Sequence, residues 1–185
     1  IEVLIEGFVR AAAGCPELRL LMLGSGSLET EIMNRISLGG AEHQVHFAGQ
    51  VEYARLPEMY RTADLYASAS HSDGSSVSML EAMACGLPVL VSDIPGNREW
   101  VEDGSNGWFF PDGDARSLAR AMIRKTGEPS TLRPAGERAR AQVEQRADWG
   151  KNFGEILRAY SIASAGIPGQ LATLGVPQGE AWNND

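Results

Sequence analysis

The opening segment, IEVLIEGFVRAAAG, places apolar residues at Val3, Leu4, Phe8 and Val9, the spacing of one helical face. The periodicity then changes. Residues 18–23 (LRLLML) form a continuous apolar run of strand length, closed by GSGS, with Ser27 placed to cap a helix reaching about Ser37. Residues 45–48 read as a short strand, 56–62 as a short helix and 64–68 (DLYAS) as a third strand. A helix starting near Ser75 and running through 79–84 is stopped by Gly86 and Pro88. Residues 88–91 make a fourth strand, followed by a loop with Pro95 and Gly96 and a helix near 97–101. DGSNG (103–107) is a turn and 108–110 a fifth strand; helices follow over 115–125, 134–145 and 149–164.

Buried-type strands alternating with amphipathic helices predict an α/β fold with a parallel sheet covered on both faces. Such sheets bind ligands beyond the carboxyl ends of their strands, where the GSGS turn and the loop after the third strand both fall. The helical period begins abruptly at Ile1, so the chain reads as a piece of a longer protein whose preceding element has been cut away. Residues 1–165 are expected to form the domain. Residues 166–185, rich in Gly, Pro and Asn without periodicity, are expected to be an irregular tail.

Composition narrows the function classes. The 185 residues are 43% hydrophobic and 22% charged, which excludes general disorder. A net charge of -8 argues against nucleic acid as a partner, since phosphate backbones need a basic patch. Cys15 and Cys85 match no metal spacing and read as free thiols in a reducing compartment. With no apolar run of membrane-spanning length, the expectation is a cytoplasmic protein.

The chemistry concentrates in SDGSSVSMLEAMACGLPVLVSD (72–93). Asp73 lies in a loop and Glu81 eight residues later in a helix, with Gly74, Ser75, Ser76 and Ser78 between them. That order suits a diphosphate held at a helix N-terminus, where unpaired N–H groups and the dipole favour anions. One carboxylate can then face each end of a phosphate-linked ligand. Asp73 is equally placed to cap the Gly74–Ser75 turn.

From Asp73 to Glu81, and on through AMACGLPVLVSD, IPGNREWV, DGSNGWFFPDGD and the final W…Y helix, the chain resembles the C-terminal, donor-binding domain of retaining group 1 (family 4) glycosyltransferases. LLMLGSGSLE and HFAGQV…LPEMYRTADLYASAS support the resemblance in the right order, and it covers about residues 1–164. It implies the Rossmann-like C-terminal half of a GT-B fold. It further implies a nucleotide-sugar donor, transfer with retention of configuration, an acceptor held by an N-terminal domain, and no metal or other cofactor.

Residue by residue, Glu81 matches the glutamate that bonds both ribose hydroxyls. Asp73 matches the catalytic-site glutamate that contacts the sugar, one methylene shorter here. The backbone N–H groups of Ser75, Ser76 and Val77 match the cradle of the distal phosphate, with Gly74 allowing close approach. Gly24 in the GSGS turn borders the donor, or is a plain strand-to-helix turn. Ala48 to Val51 match the place where the backbone meets the base, with residues 52–55 as base-selecting candidates.

Glu99, the histidines and the acidic turn 112–114 are read as structural, the last as the cap of the next helix. The resemblance puts an Arg and a Lys that neutralise the diphosphate before Ile1. Alone, then, this piece is expected to bind donor weakly and transfer nothing. Its Trp149, Phe153, Leu157 and Tyr160 stripe is expected to favour self-association, and the full-length enzyme to contact membranes peripherally. The alternatives are a non-catalytic nucleotide-binding module and a related nucleotide-sugar epimerase.

Overall fold

The computed structural model describes residues 1–165. The chain divides into two compact units, Ile1–Ala147 and a second beginning at Asp148. The expected irregular tail, 166–185, lies outside the described residues.

In the first unit five strands alternate with helices, and all registered pairs are parallel. The strands β1 (Leu20–Leu23) and β2 (Val45–Gly49) form one sheet, and β3 (Tyr66–Ser68), β4 (Val89–Ser92) and β5 (Gly107–Phe110) form a second in the order β3-β4-β5. The sequence pattern predicted a single sheet; regular pairing here stops between β1–β2 and β3–β5. Apolar side chains from both sheets nevertheless share one core, in which Leu20, Met22, Leu65 and Ala67 pack against Leu90, Trp108 and Phe110.

Strand alternation distributes β4 between two cores. Leu90 points into a layer with Ile5, Phe8 and Leu118, whereas Val89 and Val91 meet Met79, Met83, Ala139 and Val143. Helices α1 (Glu2–Ala12) and α6 (Ala115–Thr126) thus belong to one face. Helices α4 (Val77–Ala84) and α7 (Pro129–Arg146) belong to the other. The close approach of α1 to α6 requires Gly7, where a β-carbon would lie 2.8 Å from Leu118 Cδ2.

Several boundaries differ from the sequence expectation. Helix α2 (Glu29–Leu38) starts at Leu28 without a side-chain cap, so Ser27 does not cap it. The short α3 (Leu56–Arg61) keeps its expected position. Helix α5 is Pro95–Arg98, earlier than 97–101, because Pro95 has its φ preset for a first helical turn. Helix α7 begins at Pro129 and runs through Pro134, which sequence rules had placed at its start.

The second unit contains α8 (Trp149–Ala165), within which Trp149 and Phe153 stack with ring centroids 5.6 Å apart. Among the described residues no helix is long and apolar enough to cross a membrane.

Candidate functional site

The site is built around the loop that leaves β3 and enters α4. Ser76 is the N-cap, with extended ψ of 112° and no side-chain cap bond, and the first helical residue is Val77 rather than one near Ser75. The N–H groups of Val77, Ser78 and Met79 therefore have no intrahelical acceptor. Val77 is exposed, so this end of the helix opens to solvent.

The loop has a sealed face and an open one. On the sealed side Gly96 of α5 lies against the carbonyl oxygens of Asp73 and Gly74, leaving no room for a β-carbon. Ser92 Oγ donates to the carbonyl of Ser70 at 2.5 Å, and Asn97 Nδ2 donates to the carbonyl of Ser92 at 2.8 Å. The indole N–H of Trp100 reaches Ser75 Oγ at 3.0 Å. On the open side a β-carbon at Gly74 would meet nothing within 4 Å.

Asp73 is exposed, and its carboxylate has no hydrogen-bond partner among the described residues. The cap alternative therefore fails: Ser76 holds that position, and the Asp73 side chain is held by nothing that would make it structural. Glu81 is half-buried one turn from the C-terminal end of α4. Its Oε2 accepts from Tyr60 Oη of α3 at 3.1 Å, and Oε1 has no protein donor among the described residues. Burial, then the negative charge of Glu81, pushes the Tyr60 phenol well above its ordinary value, so it stays a donor. Nearer the helix start, Tyr66 Oη and Ser78 Oγ lie 2.8 Å apart, and Ser78 Oγ is 3.3 Å from Ser76 Oγ. Ser78, given no role by the sequence, joins the loop to β3.

The β1–β2 sheet ends on two glycines in the left-handed region, Gly24 at φ 103° and Gly49 at φ 64°. The Gly24 N–H donates to the Gly49 carbonyl at 2.7 Å, and a β-carbon on either would point into open space. Beyond β2 lies a cleft of about 590 Å³ lined by residues including Phe47, Ala48, Val51, Glu52, Arg55 and Met59. Met59 and Tyr60 are neighbours on α3, so one short helix supplies a wall of this cleft and the hydrogen-bond partner of Glu81.

Asp114 caps α6, accepting from the N–H groups of Arg116 at 3.0 Å and Ser117 at 2.9 Å. Asp112 pairs with His71 Nδ1 at 2.6 Å. Glu99 is the C-cap of α5, and its carbonyl accepts from Arg146 Nη1 at 2.7 Å. Both cysteines are free. Among the described residues no cluster of three or more His, Cys, Asp or Glu could hold a metal.

Sequence reasoning missed Tyr60, Trp100 and Asn97. Each is an aromatic or amide side chain whose polar tip finds a partner only after folding. A tyrosine or tryptophan that must be buried yet keep its hydrogen bond is the available signal, and it names no partner.

Residues 1–142 match the model of the family described as glycosyl transferases group 1. The phosphatidyl-myo-inositol mannosyltransferase of Mycolicibacterium smegmatis is 34% identical over 176 residues, 93% of this chain and 44% of that protein. The GtfA subunit of a UDP-N-acetylglucosamine–peptide N-acetylglucosaminyltransferase from Streptococcus gordonii is 36% identical over 60% of this chain and 22% of its own length. The Anabaena HepE protein, solved with UDP, superposes with a TM-score of 0.76 at 26% identity, covering 84% of this chain and 44% of that one. The chain spans less than half the length of each. Family match, relatives and fold agree that this chain belongs to the group 1 glycosyl transferases.

Proposed function

We propose that this domain holds the nucleoside-diphosphate part of a sugar donor, and that the protein carrying it transfers the sugar, with retention of anomeric configuration, to an acceptor held elsewhere in the polypeptide. The observation that carries the reading is the seating of Glu81. A half-buried carboxylate, fixed through one oxygen by Tyr60, offers its other oxygen beside a helix whose N-terminal N–H groups are unclaimed. A ribose hydroxyl suits the first and a diphosphate the second. The cleft beyond β2, bounded by Val51, is the place for the base. UDP is the first nucleotide to test, because HepE was solved with it and the GtfA relative is named for a UDP-sugar.

In this reading the leaving diphosphate is stabilised by the N–H groups of Ser75, Ser76 and Val77, with cations contributed by residues outside this chain. Asp73, unpaired and exposed on the loop, contacts the sugar. No step calls for a metal.

Calorimetric titration of the intact polypeptide with UDP, GDP and ADP tests the binding half. Glu81→Gln removes a charge-assisted hydrogen bond and should weaken nucleoside-diphosphate binding by about tenfold, with little change in Tm. An unchanged Kd would remove Glu81 from the site. Asp73→Asn should cut turnover by at least about tenfold while leaving UDP affinity near parental, because the free nucleotide lacks the sugar. Proton NMR of the first-formed product reads the anomeric outcome, and an inverted product would overturn retention.

A further inference from the structure

The sealed face of the donor loop carries an arrangement that the family match does not assign. Trp100 is buried, and its indole N–H, which can only donate, points at Ser75 Oγ at 3.0 Å. Ser75 must therefore accept, and its own hydroxyl proton is left free. No other partner for that hydroxyl exists among the described residues, and Ser75 itself is exposed. The tryptophan is held in turn: the Arg146 guanidinium lies over its ring, 4.7 Å from the centroid, and Arg146 Nη1 donates to the carbonyl of Glu99, the preceding residue. Asn106 Nδ2 donates to the carbonyl of Trp100 itself at 3.0 Å. The loop's backbone is immobilised beside this contact, since the Asp73 and Gly74 carbonyls rest on Gly96.

We propose that Trp100 is a positioning residue for the donor site, and that the hydroxyl it orients on Ser75 donates its proton to the distal phosphate of the bound nucleoside diphosphate. The inference rests on the reading of the loop as a diphosphate site. It adds a side-chain donor to the backbone N–H groups. A hydroxyl already accepting from an indole is polarised and becomes a better donor, so the tie strengthens the contact as well as aiming it. Because the distal phosphate is the group addressed, the effect is specific to the diphosphate and spares a monophosphate.

The test is a double-mutant cycle in the intact polypeptide, with UDP and UMP titrated against the parent, Trp100→Phe, Ser75→Ala and the double variant. Ser75→Ala should weaken UDP by about tenfold, the cost of one hydrogen bond to a charged group. Trp100→Phe, which keeps the ring and removes only the N–H, should weaken it by about threefold. In the double variant the loss should equal that of Ser75→Ala alone, because Trp100 acts through the hydroxyl. UMP binding should be unmoved by either change, which a merely structural role for Trp100 would not produce.

Additive losses, equal losses for UDP and UMP, or an unaffected Ser75→Ala variant would each overturn the proposal. If Trp100→Phe lowers Tm by several degrees, Ser75→Thr decides the matter: retaining the hydroxyl should keep UDP affinity within about twofold of the parent, and loss comparable to alanine refutes it. Failure of the underlying reading looks different. A parent that binds no nucleoside diphosphate at all removes both, whereas a parent that binds UDP and is weakened by Glu81→Gln, with no coupling in the cycle, removes only this inference.

Discussion

The two sheets of this domain differ in burial at β4 and β5, while β3, the strand that leads into the site loop, is half-buried like β1. Every residue of β4 is buried, with a hydrogen-bonded strand on each side and side chains alternating into two cores. No residue of β1 or β2 is fully buried, and both strands end on glycines whose missing side chains leave open space. The loop after β3, packed on Gly96, is the one whose N–H groups hold an anion in the proposed reading. The open half borders the cleft of about 590 Å³ beside Val51, where the proposed reading seats the base. Anion binding through backbone groups tolerates little movement, whereas a base can be accommodated by contacts along a cleft.

The sharpest way to break this comparison is to delete equal side chains from the two sheets. Leu90→Ala, from a fully buried position, should cost about 3 kcal/mol through lost burial and a cavity. Leu21→Ala, on half-exposed β1, should cost about 1 kcal/mol or less. Urea melts of the two variants with unchanged m-values would check this. Equal losses would mean that the two sheets form one equally packed core.

Glycine substitutions sharpen the contrast inside the loop. Gly96→Ala drives a β-carbon into the Asp73 and Gly74 carbonyls, neither of which can yield cheaply, and should cost about 2 kcal/mol as well as UDP binding. Gly74→Ala adds its β-carbon on the open side and should leave stability within about 0.5 kcal/mol of the parent. Any effect it has should appear in ligand affinity alone. Thermal melts with and without UDP separate the two outcomes.

What the sequence made legible follows from the same physics. Apolar runs such as residues 20–23 and 89–92 have no other stable place than a covered parallel sheet, so the strands were readable to within a residue or two. The alternation of strand and helix signals put Asp73 and the serines that follow it after the third strand, and the structure has Asp73 to Ser76 between β3 and α4. The ties that fix the loop were not readable. Trp100 and Ser75 are 25 residues apart, and Tyr60 and Glu81 are 21 apart. Neither pair lies within one element, so no helical or strand period links its members. Caps gave a mixed lesson. Asp114 does what its position suggests, while Ser27, an equally plausible cap, is left outside α2. The chain turns at Ser27–Leu28, where the Glu29 N–H donates to the Gly26 carbonyl at 3.2 Å, and the N-cap position falls on Leu28, one residue past the hydroxyl.

The smallest expected effect concerns that cap on the packed half of the molecule. The Asp114 carboxyl is held below its ordinary value of 3.8, chiefly by the Ser117 hydroxyl and then by the Ser117 backbone N–H. Both hydrogen bonds favour the ionised form. A group whose folded value is depressed binds its proton more readily when unfolded, so its contribution is present above the unfolded value and is lost as pH falls through the folded one. The loss therefore belongs to the acid limb below about pH 4. Asp114→Asn caps about as well but carries no charge, so it should lower neutral-pH stability slightly and flatten that limb. Thermal melts of parent and variant between neutral pH and pH 3 should converge as the acid is added. Curves that stay parallel throughout would show that Asp114 titrates alike in the folded and unfolded chain, and that the cap owes nothing to its charge.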